Sequence, residues 1–597
     1  MITFVTAIYD EARPFIERLG LKKVSDETFY QYFASDEYEV VITGVGSIRA
    51  LRNCSRHFAV HEPSLGSVVI NVGICGASDS PVGSLFLIEK ITDEVSGKTY
   101  YPDLLFREDF SHSSLTTTIK PKKEGTGLYD MEASAVYEAS YPYYTLERII
   151  FFKIVSDNLD PDVKVASDIV DQHADKIIDF AKRVAKFYET SESSSNDIDL
   201  RPVISKFSLT DSMTKRLKRA VDYRRINRQD IDLSGFFEAE TVKNDKAHKK
   251  EVFEKVLSEY IKVSDLRMDR EERSDGLNPS FTNVYSDDPK LDGYFKDRHI
   301  VRIDSYKDIF NRSHQNFDLQ KRSQALILSH NRGQFIYEGA RVCQSFGNSY
   351  FYYCSVVMNC IFDCKYCYLA GMYPSGNLVV FPDFDDVLKE IDEILKEHPM
   401  YLCVSYDTDL LAIENMFGFV SKFIDACKTR KDLTIEVRTK SGNPGLFKNF
   451  EALDNVIFAW TLSPEKVTSI EDKTAPLEKR LEAMRACHEK GFKVRVCFDP
   501  MIYYKDWKDD YGKLVEQVFS LIDPFDVSIG VFRISTEYLK LMRKRRGNTA
   551  AVAFPFVSEK GVSHYGEVSE EMISYMKDKV SQYIGSDRIF IWEEQDE

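Results

Sequence analysis

Three cysteines, Cys360, Cys364 and Cys367, stand in a C-x3-C-x2-C spacing with the aromatic Tyr366 inside it. Three thiolates this close can hold an iron–sulfur cluster. A cubane has four irons, so three protein ligands leave one iron open to a substrate or cofactor. The same thiols could instead bind zinc or be buried structural groups. Zinc normally takes a fourth Cys or His at short spacing, and Cys354 and the distant His488 offer a poorer site. A second set of candidates lies early in the chain. Asp130-Met131-Glu132-Ala133 opens a helical run, although acidic residues are also ordinary at a helix start. Ser156-Asp157 ends an apolar run, where a carboxylate is costly unless it is paired or catalytic. Two glycine-bearing turns, Gly44-Val45-Gly46-Ser47 and Asn71-Val72-Gly73-Ile74-Cys75-Gly76, follow strand patterns and let backbone approach a ligand.

The elements that must position these groups alternate in type. Apolar runs at 2–8, 38–46, 67–76, 85–91 and 148–157 read as strands, with helical patterns such as 11–20, 48–60 and 166–188 between and after them. This predicts an α/β domain over 1–190. Residues 191–201 are Ser-rich and acidic and read as a linker. Residues 202–340 are charged and mostly helical, with a Pro/Asp/Ser-rich break at 274–293, and lead into the last domain. Over 341–597 strand patterns at 401–407, 433–440, 455–462, 493–500, 527–534 and 588–592 alternate with helical ones such as 382–398 and 476–491. That predicts parallel βα repeats in a partial (β/α)6 barrel, whose reactive residues belong at the C-terminal strand ends. Lys440, Trp460, Asp499-Pro500 and Arg533 fall there.

Composition bounds the function. At 597 residues, about 150 per domain suggests three or four domains. No apolar run reaches the roughly 18 residues of a membrane span, and the first residues read as a strand rather than a signal peptide. Eleven scattered cysteines argue against a disulfide framework and for a reducing compartment, the cytoplasm. A formal charge of −16 favours a small-molecule partner over nucleic acid. One basic run departs from it: Lys215, Arg216, Lys218, Arg219, Arg224, Arg225 and Arg228 against Asp222. It reads as a solvated helix face or, alternatively, as a nucleic-acid contact.

Together the early acid, the NxGxxG turn, Met131-Glu132-Ala133 and Ser156-Asp157 resemble the nucleoside phosphorylase and nucleosidase superfamily, in particular the methylthioadenosine/S-adenosylhomocysteine nucleosidases, over about residues 1–187. The resemblance implies a nucleoside phosphorylase-like α/β domain. Glu11 would position or activate water, Asp157 would protonate the leaving base, and Met131, Glu132 and Gly73 would bind the nucleoside. The phosphorylase branch carries an arginine before its glycine turn; Asn71 stands there, which implies hydrolysis. Nucleosidases of this type are commonly dimers.

The C-x3-C-x-aromatic-C signature resembles the radical S-adenosylmethionine (AdoMet) enzymes. With MNCIFDCKYCYL, RTKSGN, TLSPE, TAPLEKRLEA and FDPMI, residues of about 320–580 resemble the spore photoproduct lyase family. The resemblance implies a [4Fe-4S] cluster on Cys360, Cys364 and Cys367, AdoMet held by Lys440, Tyr366 and Ser405, and a reductant such as flavodoxin or ferredoxin. Photoproduct-repairing lyases carry a hydrogen-donating cysteine where Tyr406 stands in Tyr406-Asp407-Thr408-Asp409; Cys403, three residues earlier, reads as core. A nucleosidase-like domain joined to such a lyase resembles the queuine lyase group of queuosine salvage. By that resemblance the first domain would hydrolyse the nucleoside to queuine, and the second would cleave queuine to 7-aminomethyl-7-deazaguanine. Asp407, Asp409, Asp499 and Arg533 would then bind substrate, and Tyr406 or Tyr565 would pass a hydrogen. The alternative is a photoproduct-repairing lyase with an accessory nucleoside-binding domain.

Overall fold

The structure is a computed structural model that describes residues 1–592 apart from 25–29, 65, 160–165, 190–197, 243–244, 263–275, 296–297, 340–342, 548 and 550. Most of the expected linker, at 191–197, lies outside the described residues. The architecture is mixed α/β in two units: one comprises 1–195, 273–287 and 295–326, the other 196–272, 288–294 and 327–597.

The first unit is built on strands β1 (Ile2–Thr6), β2 (Tyr38–Ile42), β3 (Val68–Ala77), β4 (Leu85–Asp93), β5 (Ser111–Thr117), β6 (Leu128–Asp130) and β7 (Ile149–Asp157). β1 lies parallel between β2 and β3, and β3 lies parallel to β7. β7 runs antiparallel to β4, β4 and β5 are parallel, β5 and β6 are parallel, and β6 returns antiparallel to β3, so these five strands close on themselves. The helices are α1 (Tyr9–Arg18), α2 (Ser47–Val60), α3 (Ala133–Ser140) and α4 (Ala166–Glu189). Successive strand residues feed opposite faces. Phe4, Ile70 and Phe152 join Phe15 of α1 and Ile177 of α4, whereas Val5, Val69 and Phe151 join Phe58 of α2 and Val136 of α3. Two covered faces explain the unbroken apolar runs of β3 and β7.

The second unit begins with helices α5 (Arg201–Phe207), α6 (Asp211–Ile226), α7 (Ser234–Glu238) and α8 (Lys246–Lys262), packed around Phe207, Leu217, Phe236 and Phe253. Its large sheet contains β8 (Ile336–Glu338), β9 (Phe351–Cys354), β10 (Met400–Cys403), β11 (Leu433–Thr439), β12 (Val456–Thr461), β13 (Lys493–Met501), β14 (Asp526–Val531) and β15 (Ile589–Ile591), in that order. β8 pairs antiparallel with β9, and every later pair is parallel. Helices α9 (Phe384–Leu395), α10 (Phe419–Thr429), α11 (Leu477–Glu489), α12 (Trp507–Leu521), α13 (Thr536–Arg546) and α14 (Glu567–Val580) fall between the strands. This is the expected partial barrel, extended at its first edge by β9 and β8. No helix among the described residues is long and apolar enough to cross a membrane.

Candidate active sites

The cysteine segment follows β9 and is fixed by backbone. Asp363 and Cys364 pair antiparallel with Asp472 and Glu471, and the Lys365 N–H donates to the Ile470 carbonyl at 2.9 Å. From behind, Arg546 pairs with Asp363 at 2.8 Å and Arg545 donates to the Gly371 and Tyr373 carbonyls. Cys364 is buried, and Cys360 and Cys367 are half-buried. The Phe362 N–H donates to Cys360 Sγ at 3.4 Å, and Lys440 Nζ to Cys364 Sγ at 3.6 Å. Burial pushes the Cys364 thiol up to about 12; Lys440 opposes the rise, while Glu471, Cys367 and Cys360 add to it. Among the described residues no group of three or more His, Cys, Asp or Glu side chains is gathered tightly enough for one metal ion. A cubane spreads its ligands over separate irons, so the donor set of three thiols, two of them served by N–H or ammonium donors, fits a cluster better than zinc.

Cys364 and Cys367 line a cavity of about 290 Å³ at the C-terminal strand ends, together with Lys440, Ser405, Asp499 and Arg533. Lys440 follows β11; its N–H donates to Asp409 Oδ2 at 2.6 Å, and its ammonium lies 5.2 Å from the Tyr366 ring centre. Tyr366, also on the wall, donates its hydroxyl to Glu471, which pairs with the fully buried Arg480. The buried Ser405 hydroxyl has no hydrogen-bond partner among the described residues. Asp499 meets Arg533 at 3.0 Å; burial would raise its pKa, but Arg533 and Arg438 outweigh that and hold it below the usual carboxylate range.

Tyr406 lines the cavity too, and its oxygen accepts from the Cys343 thiol at 3.5 Å. Its ring sits 4.3 Å from that of Tyr353, and burial followed by Cys343 raises its pKa. Cys403, expected in the core, is buried and also forms part of the cavity wall. Three other expected groups are not among the cavity-lining residues. Asp407 accepts from Ser355 Oγ at 2.5 Å, Asp409 caps Ala412, Thr439 and Lys440, and Tyr565 packs among Phe554, Phe556 and Tyr503. Cys343, Glu436 and Arg438 are cavity residues that no sequence pattern singles out.

In the first unit, Glu11 stands at the third position of α1 and closes back over the helix start. One oxygen accepts from the Ala7 and Ile8 N–H groups at 2.8 and 3.2 Å, the other from the Ile74 N–H of β3 at 2.9 Å. Gly73 faces Lys153 across β3 and β7, and Gly76 faces Asp157. A Cβ on Gly73 would lie 3.0 Å from Glu11 Oε1 and 3.3 Å from Lys153 Nζ, so glycine leaves room for both. Lys153 is buried and pairs with Asp130 at 2.9 Å. Asp130 accepts from Thr117 Oγ1 and the Ala133 N–H, fixing the segment that carries Met131 and Glu132. Glu132 Oε1 accepts from the Gly46 N–H at 2.7 Å, where φ is +99°, a conformation that favours glycine. The Met131 carbonyl accepts from Ser47 Oγ at 2.8 Å. Burial, then Asp130, raises the Glu132 pKa to about 7. Burial also raises Glu11, against the Ile74 N–H and Lys153. Asp157, half-buried at the end of β7, accepts from Ser156 Oγ at 2.7 Å. Lys153 was legible only as a charge inside an apolar strand.

A comparison with family models bears on the cysteine-lined cavity. Residues 343–542 match the spore photoproduct lyase family. A curated relative, the spore photoproduct lyase of Clostridium acetobutylicum, is 22% identical over 173 residues, or 28% of this chain. The match spans about half of that relative, 51% of its length. A solved spore photoproduct lyase variant with bound AdoMet and dinucleoside spore photoproduct overlaps 53% of this chain and 99% of its own, with 16% identity and a TM-score of 0.42. The apo 5′-methylthioadenosine nucleosidase of Arabidopsis thaliana overlaps 30% of this chain and 95% of its own, with 18% identity and a TM-score of 0.27. The spore photoproduct lyase-like region contains all three cysteines, Cys343, Tyr406, Lys440, Asp499 and Arg533; Tyr565 and every residue of the Glu11–Asp130–Lys153 cluster lie outside it.

Proposed function

We propose that the chain is a bifunctional salvage enzyme, hydrolysing queuosine to queuine in its first unit and cleaving queuine to 7-aminomethyl-7-deazaguanine in its second. The observation that carries this reading is that one chain holds two sites of different chemistry: a buried carboxylate–lysine cluster beside glycine turns, and a cavity lined by cluster-type cysteines, a lysine and an aspartate–arginine pair. In the first unit Glu11 orients a water, which adds to the sugar carbon as the C–N glycosidic bond breaks, and Glu11 takes the water's proton. Asp157 gives its proton to the leaving base, relieving the negative charge that would otherwise develop there. Glu132 and the Met131 backbone hold the ribose hydroxyls, while Lys153 favours the ionised carboxylates around it.

In the second unit Cys360, Cys364 and Cys367 would hold a [4Fe-4S] cluster, with Lys440 paired to the AdoMet carboxylate and Tyr366 and Ser405 beside it. Bound together, cluster and AdoMet supply hydrogen abstraction from an unactivated C–H bond. Asp499 accepts from the secondary ammonium of queuine, and Arg533 keeps Asp499 ionised. The Tyr406 hydroxyl, with the Cys343 thiol against it, supplies a hydrogen atom to the product radical, and one electron from a flavodoxin- or ferredoxin-type reductant together with a solvent proton restores the tyrosine.

The match to the spore photoproduct lyase family favours a second reading, photoproduct cleavage with an accessory first unit. Variants separate the two. Under the salvage reading Glu11→Gln and Asp157→Asn lose queuine release from queuosine yet still convert supplied queuine, and Cys364→Ala does the reverse. Cleavage of a dinucleoside spore photoproduct with no turnover of queuine would establish the second reading instead.

A further inference from the structure

The basic run on α6 is used by neither reaction, and in the second unit one of its residues faces another cationic helix. Arg219 of α6 and Lys540, Arg543 and Lys544 of α13 line a pocket of about 500 Å³. Its carboxylate is Asp222, which already pairs with Arg225. Among the described residues Arg219, Lys540 and Lys544 have no ion-pair partner. Arg543 donates Nε and Nη2 to the Val552 carbonyl and Nη2 to the Phe554 carbonyl at 2.7–2.9 Å, and its guanidinium lies 5.9 Å from the Phe556 ring centre. Burial and then the charge of Arg219 lower its pKa to about 10. Hydroxyls complete the wall: Ser563 Oγ lies 2.8 Å from Ser558 Oγ and 3.0 Å from Thr536 Oγ1. α6 is held against the segment that follows α13, with the Tyr223 ring 5.4 Å from Phe554.

In a chain of net charge −16, such an excess of cations is a local feature that needs an anion. Arginine forks, lysines and hydroxyls together match the several acceptor oxygens of phosphate. The pocket volume exceeds one phosphate and falls within the range of small-ligand sites, about 300–1,000 Å³. We propose that this pocket binds the phosphate of a nucleotide, as a terminal monoester or as a diester within a nucleic-acid strand. It is separate from the cysteine-lined cavity and shares no lining residue with it.

The test uses the full chain with two probes: adenosine 5′-monophosphate by calorimetry, and a fluorescent single-stranded oligonucleotide of about ten nucleotides by anisotropy. Each is compared in the parent, in Arg219→Gln/Lys544→Gln and in the charge-conserving Arg219→Lys/Lys544→Arg. Nucleoside affinity elsewhere is common to all three chains and cancels. Tenfold or greater weakening in the glutamine pair, rescued by the charge-conserving pair, is expected for at least one probe. For the oligonucleotide the log–log salt slope should also fall by about 1.4, two phosphates' worth on a single strand. Loss for the mononucleotide assigns a monoester, and loss for the oligonucleotide alone assigns a diester. Affinities within twofold across all three chains for both probes overturn the proposal.

Discussion

Single residues carry the sharpest expectations. Gly73→Ala puts a methyl against Glu11 Oε1, and Glu11 cannot swing aside without giving up the Ala7, Ile8 and Ile74 N–H groups. The carboxylate must then give by a few tenths of an ångström; since a full 1 Å misplacement costs about 10²-fold in rate, nucleoside hydrolysis should fall severalfold, short of that limit, in steady-state assays while circular dichroism and AdoMet cleavage stay unchanged. Glu132 supplies a pH dependence. With its pKa raised to about 7, hydrolysis should rise with pH through about 7 as the group ionises and accepts from the ribose. Between the ordinary glutamate value of 4.5 and about 7 the folded chain keeps a proton that the unfolded chain has released, so stability should decline as pH rises across that window. Glu132→Gln should remove both the rate limb and the stability slope, read from pH–rate profiles and denaturant midpoints. Tyr406→Phe should leave AdoMet cleavage intact and lower product formation relative to it, measured as the ratio of 7-aminomethyl-7-deazaguanine to 5′-deoxyadenosine. At this scale the cysteines were legible because their spacing is chemical, and Glu132 because a resemblance pointed to it. Cys343 was not, since a lone cysteine has no period or partner in sequence and meets Tyr406 only through the fold.

Elements explain why those residues stay put. β11 ends at Thr439, and Asp409 fixes both that hydroxyl and the N–H of the following Lys440; the carboxylate expected to touch substrate instead caps the strand end. Two further backings hold the cysteine segment: the short ladder to Glu471–Asp472, and α13, whose Arg545 and Arg546 grip its far side. Glu471 is fully buried between Tyr366, Lys440 and Arg480. Removing Arg480 leaves that carboxylate short of a partner, and breaking a buried pair costs about 3–5 kcal/mol. Arg480→Ala should therefore lower the denaturant midpoint accordingly and weaken AdoMet binding with it. Period and composition made the barrel strands legible from the sequence, to within a few residues at their ends. β9 was missed because its four residues sit against the cysteine motif without alternation. Charges inside strands, such as Lys153 in β7 and Glu436 and Arg438 in β11, were visible but unplaced, because their partners come from other strands.

At the scale of the whole molecule, two α/β units carry unlike sites, and neither site explains the other's residues. The alternation of strands and helices announced both units. No comparable sign marks residues 273–287 and 295–326 as part of the first unit, since the chain's return to it is not written in any local pattern. Joining the two chemistries on one nucleoside is the central claim. It is tested most directly by anaerobic reconstitution of the full chain with iron, sulfide and reductant, followed by AdoMet and queuosine, with products followed by mass spectrometry over time. The account predicts queuine first, then 7-aminomethyl-7-deazaguanine accompanied by 5′-deoxyadenosine. Queuosine and supplied queuine both unchanged, while AdoMet is cleaved, would contradict it.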